Sequence, residues 1–172
     1  MKKILTILWS IILIGTSTTS LFACNTQYTE EELTQLKEKN KIDTNDENIK
    51  NNLEWIAPQE KPFNKVDNKW YFVVWRGSTK KDWKIIKFKN YKKIDKENTR
   101  ILNKQNNNEL FISVYTGVGY SYIVLFINNN LGSTWKKNNG TYFKSVYRWN
   151  LEDNNLPCLI IDDKGTVKVD GE

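Results

Sequence analysis

From residue 69 onward the chain consists of short runs of aromatic and β-branched residues, separated by Asn, Gly, Asp and Lys. Runs of this length and composition are typical of β-strands. They predict about seven strands, at 69–76, 82–89, 110–116, 120–128, 142–150, 159–162 and 166–169. Most links between them are short, which favours antiparallel pairing. We expect an α+β, mainly β fold: a small antiparallel β sandwich or partly open barrel, or a single sheet covered by N-terminal helices.

The links between the predicted strands carry turn residues. The sequence DDKG that ends at Gly165 fits a type I turn closed by a left-handed glycine, which predicts a hairpin for the last two strands. The GVG sequence at 117–119 also predicts a hairpin turn, because the third glycine of a phosphate-binding GxGxxG motif is absent. Two longer insertions remain. The insertion 90–109 is basic with a short helix expected around 94–102, and 128–141 is flexible in composition.

Residues 24–60 are strongly polar and differ in pattern from the β-rich domain, 61–172. The sequence TEEE beginning at Thr29 fits a helix-capping box, and TNDE beginning at Thr44 is a second candidate. Apolar positions near them are sparse, so we expect weakly amphipathic helices that dock at one edge of the domain or stand in solvent. We interpret 24–60 as a polar helical stalk or linker, with Trp55 and Ile56 packing on the domain.

The first 23 residues have the three parts of an export signal. Lys2 and Lys3 form a basic start, and the 11-residue apolar run 4–14 is too short for a permanent membrane-spanning helix. The LFAC sequence that ends at Cys24 resembles the lipobox of bacterial lipoproteins. That resemblance implies removal of a signal peptide, 1–23, and attachment of diacylglycerol to Cys24. An ordinary signal peptide, cleaved elsewhere, would leave Cys24 as a plain thiol.

Composition adds a second resemblance. Lys far outnumbers Arg, Asn and Ile are frequent, and the chain has seven Trp. With the signal MKKILTILWSIILIGTSTTSLFACN and the stretches NKWYFVVWRG and GTYFKSVYRWN, it resembles surface lipoproteins of wall-less bacteria of the Spiroplasma and Mycoplasma type. The resemblance implies a protein held at the cell membrane by a lipid anchor such as palmitate, on the extracellular face. It implies no particular biochemical activity.

The chain contains no His, which excludes Ser-His-Asp triads, Cys-His nucleophile pairs and His-ligated zinc. A pair of carboxylates can catalyse glycoside hydrolysis without His. The candidate acids for such a pair are Asp82, Glu109, Glu152, Asp153, Asp162 and Asp163. Each lies at a predicted strand end or turn, where acidic residues are common. We therefore expect no enzyme, metal or cofactor, with a His-independent hydrolase as the alternative. Cys158, in an apolar run, is expected to be a small core residue.

Lysine is concentrated between residues 80 and 96, where eight Lys lie within 17 residues. Such a segment can bind anionic headgroups, sulfated glycans or nucleic acid. The near absence of Arg and of any nucleic-acid motif argues against nucleic acid. A solvated lysine-rich surface explains the same segment.

Aromatic residues supply the candidate binding site. Trp135 stands in a polar loop beside Lys136 and Lys137, and we expect it to be an exposed anchor for a ligand. Tyr120, Tyr122 and Trp149 are further binding candidates, since exposed Tyr and Trp suit glycans and protein interfaces. Most other aromatic residues are expected to be structural.

Together these features predict a lipid-anchored cell-surface protein that acts as a non-catalytic binding or interaction module. Its partner would be a host surface, a glycan or a membrane protein. A hydrolase acting on glycans or peptides through carboxylates alone, or an accessory subunit of a transporter, are the alternatives. The mature chain is too short for the usual two-lobed solute-binding protein, which disfavours the last.

Overall fold

A computed structural model describes residues 28–117, 119–128 and 133–172. The predicted signal peptide, 1–23, and Cys24 lie outside these residues. The helices and strands are, in chain order, α1 (Glu30–Lys39), α2 (Glu47–Asn52), β1 (Leu53–Trp55), β2 (Trp70–Trp75), β3 (Lys84–Lys89), β4 (Arg100–Gln105), β5 (Asn108–Gly117), β6 (Tyr120–Asn128), β7 (Ser133–Thr134), β8 (Phe143–Trp149), β9 (Leu159–Ile161) and β10 (Val167–Val169). Short 3₁₀ turns occupy Pro62–Asn64, Trp135–Lys137 and Asp153–Asn155. The mainly β fold with antiparallel pairing is confirmed.

The central sheet has the strand order β1-β8-β2-β3, and its neighbours are antiparallel. Strand β2, with the sequence WYFVVW, is buried from Tyr71 to Trp75. A strand that is apolar on both faces needs cover on both sides of its sheet. The rest of the molecule supplies those two covers.

A second sheet, in the order β4-β5-β6-β7, covers one face of the central sheet. Strands β5 and β6 form a long hairpin paired from Glu109↔Asn128 to Gly117↔Tyr120, which confirms the predicted hairpin. Inward-facing residues of this hairpin share one core with β2 and β8: Leu110, Ile112, Leu125, Ile127, Tyr71, Val73, Trp75 and Val146. This pair of sheets is the predicted sandwich.

The opposite face of the central sheet is covered by α1, α2 and the β9–β10 hairpin. Ile42, Ile49 and Val167 pack there against residues of β2 and β8, namely Phe72, Val74, Tyr147 and Trp149. Leu33 and Leu36 of α1 contact the same cluster. The two architectures considered from the sequence are therefore combined, because helices cover the face that the second sheet leaves open.

The N-terminal helices begin at side-chain caps. Thr29 Oγ1 accepts a hydrogen bond from the Glu32 amide at 3.2 Å, and the Thr29 amide donates to Glu32 Oε2 at 2.8 Å. This confirms the predicted capping box. The cap of α2 is Asp46, whose Oδ1 accepts from the amides of Asn48 and Ile49. Thr44 instead donates to Glu172 Oε1 at 2.9 Å, which ties this segment to the C-terminal residues.

All seven predicted strands are present in the structure, and β1, β4 and β7 are added to them. Strand β1 falls within the predicted stalk and pairs with β8 through Leu53↔Trp149. Trp55 and Ile56 are buried, as expected. Ile42, Ile49 and Leu53 are buried as well, so much of 24–60 is packed into the β-rich domain.

The helix predicted around 94–102 is wrong. Residues 100–105 form β4, which pairs with β5 across a tight connection at Asn106 and Asn107. Asn106 has a φ of 55°, a conformation that Asn tolerates better than most residues. The pairing partner on β5, rather than local helix propensity, decides the structure of this segment.

The predicted β9–β10 hairpin is confirmed. The Gly165 amide donates to the Asp162 carbonyl at 2.9 Å, and Gly165 has a φ of 76°. A Cβ at Gly165 would lie 2.7 Å from Trp83 Cγ. Glycine is therefore required by both the turn and the packing of Trp83.

Cys158 was expected in the core, but the structure exposes it. Its Sγ lies 3.6 Å from the Asp170 carboxylate, at the base of the β9–β10 hairpin. Cys158 directly precedes β9 of a two-stranded hairpin, which is too small to bury all of its side chains. In the described ranges, no helix has the length and apolar character needed to cross a membrane.

Candidate functional site

Trp135, expected to be an exposed anchor, is only 2% exposed, and that prediction is wrong. The 3₁₀ turn that contains it begins at Thr134, whose Oγ1 accepts a hydrogen bond from the Lys137 amide at 3.3 Å. The turn directs the indole inward, where it packs edge-on against Phe143 with ring centroids 5.9 Å apart. The residues next to Trp135 in the sequence are polar, but the Trp135 ring itself is buried.

Trp149 is also buried, with 0% exposure, so its expected exposure is wrong as well. It lies in β8 between β1 and β2, opposite Leu53 and Trp70. Its Nε1 donates to the Glu152 carbonyl at 3.3 Å. The two-sided cover of the central sheet explains its burial. The side chain of Tyr120 lies outside what the structure describes.

Three of the predicted binding residues, Tyr122, Lys136 and Lys137, do come together, but Tyr122 is only 6% exposed and its expected exposure is wrong. Tyr122 of β6 is paired with Tyr115 of β5, and their ring centroids are 5.3 Å apart. The Lys136 ammonium lies 4.4 Å from the Tyr122 centroid, and the Lys137 ammonium lies 5.7 Å from the Tyr115 centroid. Lys61 adds a third ammonium, 5.6 Å from the Tyr122 centroid. We name these five residues the tyrosine–lysine cluster.

Local structure holds the cluster in place. The Ile123 amide of β6 donates to Asn64 Oδ1 at 2.9 Å, which fixes the Pro62–Asn64 turn and the preceding Lys61 beside Tyr122. On the other side, β7 pairs with β6 through Phe126↔Thr134. That pairing places the Trp135–Lys137 turn, with the Trp135 ring in the core and Lys136 and Lys137 next to the tyrosines.

The cluster continues into an apolar surface on the outer side of the second sheet. Phe111 and Phe126 are stacked with centroids 5.4 Å apart, and Tyr115 and Phe126 with centroids 6.0 Å apart. Ile101 lies opposite Phe111 on β4 and is 51% exposed. We name Ile101, Phe111 and Phe126 the outer apolar face. On the same side Tyr122 and Val124 are buried, whereas Phe111 and Phe126 are partly exposed. A sheet face that meets solvent is normally polar, and the exposed part of this one is apolar.

The electrostatic environment of the cluster is positive. An ammonium over an aromatic ring is stabilised by about 0.5–1 kcal/mol at an exposed site, which helps to bring three lysines together. The sequence contains no Asp or Glu between Glu109 and Glu152. Among the described residues, no carboxylate lies within ion-pairing distance of Lys61 or Lys137. The cluster is thus suited to an anion.

Sequence reasoning missed Lys61 and Tyr115. Lys61 lies at the predicted domain boundary, and Tyr115 belongs to the aromatic residues that the sequence predicts to be structural. Two signals could have identified them: the acid-free stretch of sequence, and the alternation that puts Phe111, Tyr115, Tyr122 and Phe126 on the same side of β5 and β6. The contact with Lys61 depends on tertiary structure alone.

The lysine-rich segment 80–96 does not form one surface. In β3, Lys84 shares a face with Trp75, whereas Lys87 shares the opposite face with Phe72. Lys89 pairs with Asp153 at 2.5 Å. Strand alternation thus divides a charge cluster that looks continuous in sequence.

A shallow depression of about 570 Å³ lies at one end of the central sheet and is lined by Asp67, Asn68, Lys69, Lys89, Leu151, Glu152, Asp153 and Asn154. Two of its acids, Asp67 and Asp153, already have partners within the fold. Asp67 accepts a hydrogen bond from the Tyr71 hydroxyl at 2.6 Å. Hydrogen bonds from Lys89 and Trp70 lower the pKa of Asp153. The described residues contain no group of three potential metal-ligating side chains.

Two other candidate acids also have structural roles. Asp162 accepts hydrogen bonds from the amides of Lys164 and Thr166, both at 2.9 Å, and these hold the β9–β10 turn. Glu109 pairs with Lys104 across the β4–β5 hairpin at 2.6 Å. The carboxylates considered for catalysis are therefore used, in these cases, to build turns and strand pairs.

The chain was compared with protein families, with curated proteins and with solved structures. No family, curated protein or solved structure matches it.

Proposed function

We propose that this protein is a lipid-anchored cell-surface binding module that takes an external ligand at the tyrosine–lysine cluster. The observation that supports this function is the cluster itself: three lysine ammonium groups around a tyrosine pair, next to a partly exposed apolar sheet face. A solvated sheet face has no structural need for this combination. A binding surface uses both of its components, apolar contact and charge.

The anchor belongs to the proposal through the N-terminal sequence. The basic start, the short apolar run and the LFAC sequence ending at Cys24 resemble the signal of bacterial lipoproteins, and the composition resembles surface lipoproteins of the Spiroplasma and Mycoplasma type. One acyl chain gives weak, reversible membrane binding, whereas two or more chains on the cysteine hold a protein stably. The domain would then stand on the extracellular face of the membrane.

The chemistry of the cluster supports binding rather than catalysis. Lysine ammoniums and tyrosine rings orient an anion, and a glycosidase-type reaction needs a pair of carboxylates instead. In the depression, the carboxylates of Asp67 and Asp153 are engaged with Lys89, Trp70 and Tyr71.

The anchor is tested by metabolic labelling with palmitate and protease treatment of intact cells that express the full chain. We expect label on the wild type, none on Cys24→Ser, and removal of the β-rich domain by external protease. A Cys158→Ser control should keep its label. Absence of label on the wild type, or complete protection from protease, would refute the surface-lipoprotein part of the proposal.

A further inference from the structure

We infer that the ligand of the tyrosine–lysine cluster is an acidic polysaccharide, whose sulfate or carboxylate groups contact Lys61, Lys136 and Lys137 while its sugar rings lie on the outer apolar face. This inference rests on the proposed function and names the class of its ligand.

The positive charges converge on one small area. Lys136 and Lys61 both lie within 6 Å of the Tyr122 centroid, and Lys137 lies 5.7 Å from the centroid of the adjacent Tyr115. An anion bound beside these two rings is attracted by each of the ammonium groups. The lysines come from two separate turns, Lys61 before Pro62–Asn64 and the others within Trp135–Lys137. A ligand that contacts all three must present several anionic groups.

The apolar component narrows the ligand further. Phe111 and Phe126 are partly exposed and Ile101 is exposed, so the ligand must offer apolar surface beside its charges. Sugar rings do so, because their C–H groups pack on aromatic side chains while their substituents stay solvated. An inorganic anion lacks this surface. A polysaccharide with repeated anionic groups has both features along one chain.

A second copy of this chain is a poor occupant of the surface. A symmetric dimer through the cluster would bring Lys61, Lys136 and Lys137 of one copy towards the same residues of the other. The sequence from 110 to 151 has no acidic residue to balance them. Such juxtaposition of like charges disfavours self-association.

The protein's own membrane is also a poor occupant. With the anchor at Cys24, six residues separate the lipid from the start of α1 at Glu30, and an extended chain of that length spans at most about 20 Å. Helix α1 packs on the face of the central sheet opposite the second sheet. Packed layers lie about 10 Å apart, and two such spacings separate α1 from the second sheet. If the outer apolar face lay on the bilayer, the distance from the bilayer to α1 would exceed about 20 Å once side chains are included, which is more than the connecting chain can span. The surface is therefore turned towards the surroundings.

The test measures binding of dextran sulfate and of unsulfated dextran to the mature chain from residue 24, made soluble by Cys24→Ser. We expect saturable binding of dextran sulfate only, with log affinity falling linearly with log salt. The double variant Lys136→Gln/Lys137→Gln should bind dextran sulfate at least about tenfold more weakly. Its slope of log affinity against log salt should be smaller in magnitude by about 1–2. Phe111→Ser should weaken binding while the circular dichroism spectrum stays unchanged.

The matched control is Lys80→Gln/Lys81→Gln, which removes the same charge from an exposed lysine pair elsewhere. It should bind within about twofold of the parent chain. Equal losses in the two double variants would show nonspecific attraction and overturn the inference. Tighter binding to vesicles of phosphatidylglycerol than to dextran sulfate, or a dimer in light scattering that Phe111→Ser abolishes, would also overturn it.

The two proposals fail separately. If palmitate labelling and protease accessibility are as expected but dextran sulfate does not bind, the acidic polysaccharide is wrong and the lipoprotein assignment stands. If dextran sulfate binds at the cluster but Cys24 carries no lipid, the anchor is wrong and the ligand class stands.

Discussion

Trp135 illustrates how little a side chain's neighbours in sequence reveal about its exposure. It stands among polar residues, yet its indole is buried against Phe143. We expect Trp135→Ala to lower the free energy of unfolding by about 3–5 kcal/mol because it leaves a cavity. Trp135→Phe should cost considerably less, since Trp135 Nε1 has no hydrogen-bond partner among the described residues. Urea denaturation of both variants measures the difference. A stable Trp135→Ala protein that has lost its ligand would restore Trp135 as a surface anchor.

Gly165 is constrained by both its backbone and its surroundings. A residue with a Cβ in the left-handed region is destabilised by roughly 1–2 kcal/mol, and Gly165→Ala must also displace the Trp83 ring. We therefore expect Gly165→Ala to lower the free energy of unfolding by about 2–4 kcal/mol. Gly140→Ala is the matched control, because Gly140 has a φ of 81° and nothing within 4 Å of its added Cβ. Equal losses of stability in the two variants would show that the contact with Trp83 contributes nothing.

At the level of elements, α1 is held to the central sheet by a partly buried charge network. Lys37 of α1 contacts both Glu54 and Glu60, and Arg148 of β8 donates to Glu54 Oε2 at 2.5 Å. Burial alone would raise the pKa of Glu54, but hydrogen bonds and charges of Lys37 and Arg148 outweigh it and hold the pKa below its ordinary value of 4.5. The ionised Glu54 thus links the helix to two strands.

This network predicts a dependence of stability on pH. Since the pKa of Glu54 is lower in the folded state, its contribution is fully present above pH 4.5 and is lost as the pH falls through the folded value. Glu54→Gln should lower the free energy of unfolding at pH 7 because it removes the ion pairs with Lys37 and Arg148. The loss should be about 1–2 kcal/mol, since these ion pairs are only partly buried. The variant should also lose less stability than the wild type on acidification below pH 4.5.

Thermal denaturation from pH 7 to pH 3 measures this effect, with Glu47→Gln as the control. Glu47 pairs with Lys50 on the exposed surface of α2, and its replacement should change stability by about 0.5 kcal/mol or less. Parallel stability profiles for the wild type and Glu54→Gln would contradict the role assigned to Glu54.

The sequence predicts strands well where their own residues decide the outcome. Strands β2, β5, β6 and β8 are rich in aromatic and branched residues and lie at the predicted positions. Strand β1 has three residues and exists because β8 offers an edge, and β4 exists because β5 folds back beside it. Neither pairing partner is visible in the local pattern, which is why a stalk and a helix were predicted there instead.

At the level of the whole molecule, the candidate site was predicted in part. Tyr122, Lys136 and Lys137 follow from reading the aromatic and basic residues of the chain, and the structure places them together. Lys61 joins them only because the Asn64 side chain binds the β6 backbone. The prediction for Trp149 was wrong because the two layers that cover the central sheet meet only on folding, and the prediction for Trp135 was wrong because its turn directs the ring into the core.

The order of these layers separates opposite charges across the molecule. Helix α1 begins with Glu30, Glu31 and Glu32. In the second sheet, most of β5 and all of β6 and β7 lie within the stretch from 110 to 151, which has no acidic residue. The protein therefore has an electric polarity, with its cationic pole on the side away from α1. The field of a polyanion orients the protein so that its cationic pole faces the polyanion before contact. At low ionic strength, the association rate is therefore higher than the rate for randomly oriented collisions.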